Sequence, residues 1–444
     1  MNRTRRGFAW ILPALILAGA GSGCADREGP RPNLILVSID TLRADRLGAY
    51  GYERNTSPHL DALAARGVRF ETVIADSNWT LPSHATLFTG LPPSFHGTIG
   101  PKDRLRTGIP TLAEVLQQNG YRTFGVTGGG LVDERYGFAR GFDQYRLMPV
   151  DFRTALGIVV RMLRQLGPEE RFFWFVHTYD VHCPYQPPPR YAKLFDRQPP
   201  SDRLDTRRRC GNPHYNGMSL TAGQARFLSD RYDGGIRYAD DLLGAFVERL
   251  DADGRLRNTI VVVLSDHGDE FLEHGQIGHR NTQFIQSLRV PWIMVGPGLE
   301  PRVVTRPAGL ADVMPTLLDL LDLPAPAVQG VSMRPFIEGR AAERPPRTLF
   351  SEDPFADLYS AVRGDRHVIQ RAAAGETRVY DWRDDPVEVE NLLEADPDRD
   401  AELRRELADR VRRLADLRDR HRPEAALEAS EEQHERLRAL GYVE

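Results

Sequence analysis

The feature that most constrains the fold is a series of short apolar runs separated by segments with helical patterns. The runs are Leu34–Ile39, Thr123–Thr127, Phe172–His177, Ile260–Leu264 and Val290–Val295. Each is nearly continuous in large apolar side chains, which is typical of strands covered on both faces. Strands that alternate with helices favour an α/β fold in which helices sandwich a mostly parallel sheet.

Helix boundaries are visible between these runs. A helix is predicted over 57–67, where Pro follows Ser at the start and Gly stands at the end. Thr111 and Glu114 form the pattern of a capping box at the start of another helix. A further helix is predicted over 312–321, capped by its first residue. The stretch 183–216 is rich in Pro and Arg and lacks periodicity, so we expect a long loop over the site.

The N-terminal segment predicts export. Three arginines precede an apolar run that ends in small residues and Cys24, and the run is shorter than the roughly 20 residues of a membrane span. Residues 1–24 resemble a lipoprotein signal, and 25–32 read as a linker. We expect an exported protein, periplasmic or in the cell envelope, whose only membrane contact is a lipid on Cys24.

The net charge limits the kinds of partner the chain can bind, and the cysteines bear on whether it contains a disulfide. The 444-residue chain has a net charge of −4, too weak for the footprint of a nucleic-acid-binding protein. No nucleic-acid partner is therefore expected. Beyond Cys24, the cysteines Cys183 and Cys210 either form a disulfide, as an oxidising compartment favours, or remain two thiols.

Polar residues follow the predicted strands, at the edge where α/β sheets bind ligands. Asp40 directly follows the first run, where a carboxylate suits a divalent cation, although such an Asp more often caps a turn. Thr80 precedes Pro82 at a predicted helix start, where backbone N–H groups would face a tetrahedral anion. Its hydroxyl would become a nucleophile beside a metal; taken alone, it is a helix cap.

The third and fourth runs are followed by histidines. His177, Asp180 and His182 lie within six residues, and buried groups of this kind need partners. His182 would donate a proton to a leaving oxygen or bind an anionic ester. Asp266 and His267, followed by Gly, are the strongest local signal, because an oxygen and an imidazole on one side of a tight turn are typical metal ligands.

Other features receive less weight. Gly128–Gly130 lacks the Lys that follows in a phosphate-binding loop and predicts a flexible turn without a role. Arg203 and Arg207–Arg209, in the predicted long loop, would attract an anionic substrate. After Arg347, short alternating runs predict a small antiparallel sheet, and the charged pattern of Asp400–Arg420 predicts a helix with a solvated face.

Taken in order, these motifs resemble the sulfatase family of the alkaline phosphatase superfamily. The resemblance rests on 33–46, 81–97, the Phe-x-His-x-x-Asp-x-His-x-Pro-Tyr stretch, Ser265–Gly268, Arg289–Pro291, Val379–Asp381, Asn391-Leu392 and Leu437–Glu444. It implies an alkaline phosphatase/sulfatase-like catalytic domain over 33–340 and a small C-terminal α+β subdomain over 341–444.

The resemblance also implies a metal centre. In the family pattern, Asp40, Asp266 and His267 bind a divalent metal ion, and Thr80 stands at the nucleophile position beside it. We expect one ion, either Ca, Mn, Mg or Zn, because mixed oxygen and imidazole ligands suit several metals.

The chain departs from the family pattern at the nucleophile. Sulfatases carry a Cys or Ser, modified to formylglycine, in Cys-x-Pro-x-Arg, whereas this chain reads Thr80-x-Pro82-x-His84, and Thr cannot form that aldehyde. Thr41 replaces the second Asp of their usual pair, and their pocket lysine is missing around Gly128–Gly130. The Thr-x-Pro-x-His pattern resembles the nucleotide pyrophosphatase/phosphodiesterase relatives, and lipid-linked phosphoethanolamine transferases also use a Thr nucleophile.

The prediction is a metal-dependent hydrolase in which Thr80 attacks a sulfate or phosphate ester in line. His84 would position Thr80, and His182 or His279 would assist the leaving group. The substrate would be a small anionic ester, a glycan or a lipid headgroup. Two alternatives remain: a phosphodiesterase or phosphoryl-group transferase of the same superfamily, and a catalytically inactive anchored binding protein. A structure that brings the metal and nucleophile residues to one point favours an enzyme.

Overall fold

The computed structural model describes residues 31–147, 151–167, 169–195, 220–341 and 345–420. The predicted signal peptide, Cys24, most of the linker, Cys210, the loop arginines and the final residues Leu437–Glu444 lie outside these ranges. The described residues from Pro32 onward form one compact unit, so the boundary between 340 and 341 stays a prediction. Within the described part of the chain, no helix has the length and apolarity that crossing a membrane requires.

The strands, in chain order, are β1 (Asn33–Ile39), β2 (Val68–Phe70), β3 (Val73–Ile74), β4 (Arg122–Thr127), β5 (Gln144–Leu147), β6 (Phe172–Thr178), β7 (Thr259–Leu264), β8 (Glu270–Phe271), β9 (Ile277–Gly278), β10 (Trp292–Val295), β11 (Arg302–Val304), β12 (Ala308–Gly309), β13 (Leu349–Asp353), β14 (Leu358–Arg363), β15 (Arg366–Arg371) and β16 (Glu376–Asp381).

The α-helices are α1 (Pro58–Arg66), α2 (Thr80–Thr89), α3 (Pro93–His96), α4 (Leu112–Gln118), α5 (Phe152–Leu163), α6 (Pro189–Phe195), α7 (Ala222–Ala252), α8 (Ile285–Leu288), α9 (Val313–Leu320), α10 (Arg334–Ile337) and α11 (Ala401–Arg420). Short 3-10 turns lie at Ala44–Arg46, Gly48–Tyr50, Glu134–Tyr136, Arg255–Asn258 and Leu310–Asp312.

All five apolar runs form strands of one eight-stranded sheet, in the order β11-β2-β10-β7-β1-β6-β4-β5. β1 pairs in parallel with β6 and β7, and β4 with β5 and β6, which confirms the mostly parallel sheet. β10 runs antiparallel to β7. Between these two strands the chain forms the short antiparallel pair β8 and β9 and a helix of only four residues, α8, in place of the long crossover helix typical of a parallel neighbour.

Both faces of the sheet are buried, which explains the continuous apolar runs. Leu34 and Leu36 of β1 point into one core, which helices α2, α4 and α9 complete. Ile35 and Val37 point into the opposite core, which α1, α5 and α7 complete. Because successive strand residues face opposite sides, every side chain of a strand between two helical layers is buried, and apolar residues are favoured at every position. The predicted sandwich is confirmed.

The predicted helix boundaries are mostly confirmed. The Thr111 Oγ1 atom accepts from the Glu114 N–H at 3.2 Å, and the Glu114 carboxylate accepts from the Thr111 N–H at 2.8 Å. Asp312 does not cap α9, because its Oδ2 atom accepts instead from the Gly309 N–H at 2.8 Å. The long loop predicted over 183–216 is wrong at Pro189–Phe195, which forms α6; residues 196–219 lie outside the described ranges.

The C-terminal part forms a second sheet, as predicted. β13, β14, β15 and β16 pair in order, all antiparallel. The strand missed from the sequence is β13. Leu403 and Leu407 of α11 pack on Tyr359, Val368 and Val379 of the sheet, so the predicted charged helix has one apolar, buried face.

Candidate active site

Asp40 is fully buried at the end of β1, and the turn after it is strained. Thr41 has a φ of 59°, a left-handed conformation that β-branched residues rarely adopt. Two hydrogen bonds hold it there: its N–H donates to Asp266 Oδ1 at 3.2 Å, and the Tyr232 hydroxyl donates to its carbonyl at 2.7 Å. The surroundings thus fix a costly turn that sets the direction of Asp40.

Asp266 and His267 follow the neighbouring strand β7. Ser38 of β1 pairs with Leu264 of β7, so the two strands end side by side. His267 Nε2 lies 3.3 Å from Asp266 Oδ2 and 3.7 Å from Asp40 Oδ1. The next residue must be Gly, because a Cβ atom there would lie 2.1 Å from the Gln286 carbonyl oxygen.

Thr80 is the first residue of α2 and is fully buried. Its Oγ1 atom donates to Asp40 Oδ2 at 3.3 Å and lies 3.3 Å from His267 Nε2. The residues predicted to form the metal and nucleophile centre therefore meet at one point, although they come from segments far apart in the chain.

The cluster fits a divalent cation. The ligand atoms of Asp40, Asp266 and His267 all lie within 4.8 Å of one another. The buried atoms Asp40 Oδ1 and Asp266 Oδ2 accept no hydrogen bond from the described residues. Burial raises the pKa of both carboxyls, and for Asp40 the charge of Asp266 raises it further. A cation between two bare oxygens and an imidazole would stabilise the ionised carboxylates.

His84 lies one turn after Thr80 and joins α2 to the sheet. Its Nδ1 atom is 2.9 Å from the Thr80 carbonyl oxygen and 3.3 Å from Asp266 Oδ2, and its Nε2 atom is 3.0 Å from Ser38 Oγ. The imidazole is fully buried, and burial lowers its pKa. His84 therefore contacts Thr80 through the main chain, at the point where α2 begins.

His177 was not predicted as a site residue. It lies on β6, opposite Ser38 of β1, and its Nε2 atom is 3.1 Å from Asp40 Oδ2. The sequence shows a histidine at a strand end, which was the available signal. The pairing of β6 with β1, which decides that this histidine meets Asp40, is not visible in the sequence.

His182 and His279, which were predicted to share a role, lie together beside His267. The ring centroids of His182 and His279 are 5.2 Å apart, and those of His267 and His279 are 4.3 Å apart. The His182 Nδ1 atom lies 2.6 Å from the Cys183 carbonyl oxygen. Burial lowers the pKa of both His182 and His279 to about 3.

Asp269 is a second buried residue that the sequence analysis missed. Its Oδ1 atom lies 2.7 Å from His279 Nδ1, and its Oδ2 atom accepts from the Tyr185 hydroxyl at 2.7 Å. A carboxylate in this place fixes the ring of a histidine and its tautomer. The signal was a second acid two positions after His267.

Cys183, next to His182, is part of a disulfide. This agrees with the first of the two alternatives left open for the cysteines. The predicted partner Cys210 lies outside the described residues, so the pairing itself stays a prediction.

A buried carboxylate–imidazole cluster with a hydroxyl at a helix start, at the carboxyl edge of a mostly parallel sheet, is the arrangement expected of a hydrolase of the alkaline phosphatase type. The sequence profile of the sulfatase family matches residues 32–323. The chain therefore belongs to the sulfatase family, as the motifs indicated, and is a hydrolase that acts on ester bonds.

Individual relatives are distant but cover most of the chain. An arylsulfatase of Clostridium perfringens is 25% identical over 82% of this chain and 91% of its own length. A choline-sulfatase of Rhizobium meliloti is 24% identical over 82% of this chain and 83% of its own. The phosphonate monoester hydrolase of Agrobacterium radiobacter has a similar fold, with a TM-score of 0.70, 21% identity, and coverage of 88% of this chain and 96% of its own.

Another solved structure with this fold is that of BT4656 in complex with its substrate D-glucosamine-2-N,6-O-disulfate. It has a TM-score of 0.74 and 18% identity, over 88% of this chain and 99% of that chain. At this identity the likeness extends to the fold alone.

Proposed function

We propose that this chain is a metal-dependent hydrolase that cleaves a sulfate or phosphate ester with Thr80 Oγ1 as the nucleophile. The observation that carries the proposal is the position of this hydroxyl, 3.3 Å from both Asp40 Oδ2 and His267 Nε2. A threonine that merely capped a helix would direct its hydroxyl at the backbone of its own first turn. Here the hydroxyl faces the cluster that fits a cation.

The residues of the site divide the work of the reaction. Asp40, Asp266 and His267 would hold Ca, Mn, Mg or Zn, which would supply positive charge for the developing oxyanion. Thr80 Oγ1, which donates its hydrogen toward Asp40, would form the new bond to phosphorus or sulfur while the bond to the leaving alcohol breaks. Water would then release the covalent ester of Thr80.

The leaving group needs a proton, and His182 and His279 would supply it once an anionic ester is bound, because the negative charge of the ester raises the pKa that burial alone lowers to about 3. Their rings lie together beside His267, and Asp269 holds the His279 ring in place. His84, bonded to the Thr80 carbonyl, would keep the start of α2 in register with β1. His84 would thus position the nucleophile, whereas His182 and His279 would act on the leaving oxygen.

The substrate would be a small anionic ester, a glycan or a lipid headgroup. The names of the arylsulfatase and choline-sulfatase relatives support a sulfate ester. The phosphonate monoester hydrolase fold and the unmodified threonine support a phosphate-type ester, since Thr80 cannot become formylglycine. The first experiment must therefore include both.

The test is turnover of 4-nitrophenyl sulfate, 4-nitrophenyl phosphate and bis(4-nitrophenyl) phosphate by protein supplied with each metal in turn. Thr80→Ala should lower the turnover of the preferred ester by a factor on the order of 10³ or more, whereas Thr80→Ser, which keeps the hydroxyl, should retain much of it. Full activity of Thr80→Ala would refute the nucleophile. No turnover of any ester with any metal would favour the inactive binding protein.

We also propose that the protein is exported and anchored by a lipid on Cys24. The supporting observations are the signal-like N-terminus and the disulfide at Cys183, since disulfides persist in oxidising compartments. Mass spectrometry of the protein from its native membrane fraction should find Cys24 as an acylated N-terminus, and a free Met1 would contradict it.

A further inference from the structure

Arg280 is a charged residue at the edge of the site that the proposed reaction does not use. It directly follows His279, and its guanidinium carbon lies 5.1 Å from the ring centroid of Trp79, the residue before the nucleophile. Its side chain is half-buried. Arg280 therefore follows a site histidine in the sequence and contacts the residue that precedes the proposed nucleophile.

The C-terminal part of the chain supplies the other wall around Arg280. The guanidinium carbon lies 5.8 Å from the ring centroid of Phe355, which follows β13. Phe355 is 60% exposed, whereas Trp79 is 1% exposed. The guanidinium is thus held between a buried ring beside the nucleophile and an exposed ring at the surface, a geometry typical of cation–π contacts.

The backbone at this point is strained. Arg280 has a φ of 71° and Asn281 a φ of 52°, so two consecutive residues other than glycine are left-handed. The turn is tied down from the Trp79 side, because Asn78 Nδ2 donates to the Thr282 carbonyl at 2.6 Å. Such conformations persist where the surroundings fix them, and they are concentrated at ligand sites.

The charge of Arg280 acts on two buried groups, His279 and Asp353. Both groups have other partners. His279 Nδ1 is 2.7 Å from Asp269, and Asp353 Oδ1 accepts from the Ala356 N–H at 3.1 Å. Arginine stays charged at any physiological pH, and its planar fork matches carboxylate, sulfate and phosphate groups.

We infer that Arg280 recognises a second anionic group on the substrate, so that the enzyme selects esters whose alcohol part carries its own negative charge. The inference rests on the proposed function, in which the ester group itself lies at Thr80. A carboxylate or a second sulfate or phosphate on the alcohol would contact the guanidinium, while the face of Phe355 would cover the apolar part of the alcohol beside it. Arg280 determines specificity here and takes no part in bond breaking.

Binding without turnover tests this inference separately from the reaction. The Thr80→Ala protein, loaded with the metal that raises its Tm most, is titrated in a calorimeter with 3- and 4-carboxyphenyl phosphate and with the matching carbamoylphenyl phosphates. The pairs differ in charge but hardly in shape. We expect the Thr80→Ala protein to bind at least one carboxyphenyl phosphate about tenfold more tightly than its matching carbamoylphenyl phosphate. Adding Arg280→Gln should abolish this preference, and adding Arg280→Lys should keep part of it.

A matched control is Arg383→Gln, because Arg383 lies 4.6 Å from the ring centroid of Trp382 in a comparable cation–π contact within the C-terminal part. It should leave the preference unchanged. The inference is overturned if the parent protein prefers neither carboxylate, or if Arg280→Gln weakens carboxylate and amide equally. If the preference follows Arg280 while the enzyme with Thr80 turns over no ester, the inference stands and the proposed function fails.

Discussion

Two pairs of buried aspartates in this molecule show what distinguishes a candidate metal site from a structural pair. In the first pair, Asp40 and Asp266, one oxygen of each carboxyl accepts no hydrogen bond from the part of the chain that the structure describes, and His267 lies beside both. In the second pair, Asp76 and Asp312, both oxygens of Asp312 and Oδ2 of Asp76 accept hydrogen bonds. Both pairs are buried, so burial does not distinguish them. The oxygens without hydrogen bonds and the neighbouring imidazole distinguish the first pair from the second.

The second pair lies where the C-terminal part meets the central sheet. Arg347 Nη1 and the Gly309 N–H each lie 2.8 Å from Asp312 Oδ2, and the Val331 N–H is 2.8 Å from Asp312 Oδ1. Asp76 Oδ2 accepts from the Ala311 N–H at 3.1 Å. These hydrogen bonds hold loops together, and among the described residues this pair is not part of a cluster with metal-ligand geometry.

Asp266→Asn should produce the largest effect, because it removes charge from the pair with bare oxygens. We expect turnover to fall by a factor on the order of 10³, about 4 kcal/mol in transition-state stabilisation, and the rise of Tm on metal addition to vanish. Differential scanning calorimetry with and without metal measures the second effect. Asp312→Asn is the matched control and should keep the metal-dependent rise; if both variants keep it, the comparison between the pairs fails.

Arg347→Met should produce the next largest effect, on stability alone. It leaves the buried Asp312 carboxylate with backbone donors only, and we expect a loss of about 2–3 kcal/mol in the free energy of unfolding by urea. Arg363→Met removes an arginine of similar exposure whose partners Glu402 and Glu406 are more exposed, and should cost less than about 1 kcal/mol. Equal losses would show that burial of the acid does not matter here.

Asp76→Asn should produce the smallest effect, and its sign depends on pH. Burial, and then the charge of Asp312, raises the pKa of Asp76 to about 7, above its ordinary value of 3.8. The folded state therefore binds a proton more tightly than the unfolded state, and this group favours folding fully below about pH 4 and loses that contribution as the pH rises to about 7.

Asn cannot ionise, so the free energy of unfolding of the variant should exceed that of the parent by about 1–2 kcal/mol at pH 8 and by little at pH 4. Urea unfolding at both pH values measures the difference. A gain of the same size at both would show that the effect is not electrostatic.

The proximity of Asp40, Asp266 and His267 was predictable from the sequence because these residues follow strands. Asp40, Asp266 and His267 come directly after apolar runs, and parallel strands end at one edge, so their meeting follows from the fold class. His177 also ends a strand, but its contact with Asp40 depends on which strands are neighbours. Side chains fixed by strand ends are predictable, and those fixed by strand order are not.

Loops and unusual helices were harder to predict. α7 contains Gly234 and Gly235 in its interior, which weakens a helical pattern. A Cβ atom at Gly234 would lie 3.0 Å from the Tyr191 carbonyl oxygen, and one at Gly235 would lie 3.0 Å from the Asp180 carbonyl oxygen. The glycines therefore serve tertiary packing, which no local pattern shows. Arg280 was missed for the same reason, since its partner rings come from distant segments.

The left-handed turn at Thr41 has a consequence for how the protein matures. One of the two hydrogen bonds that hold this turn joins Thr41 to Asp266, which is 225 positions further along the chain. A nascent chain that carries only the first strand and its turn has the Thr41 N–H donor but lacks Asp266, which is both the acceptor and the second carboxylate. A cation that needs both carboxylates would therefore bind only after the seventh strand has been synthesised and inserted beside the first, so metal binding would report completed assembly.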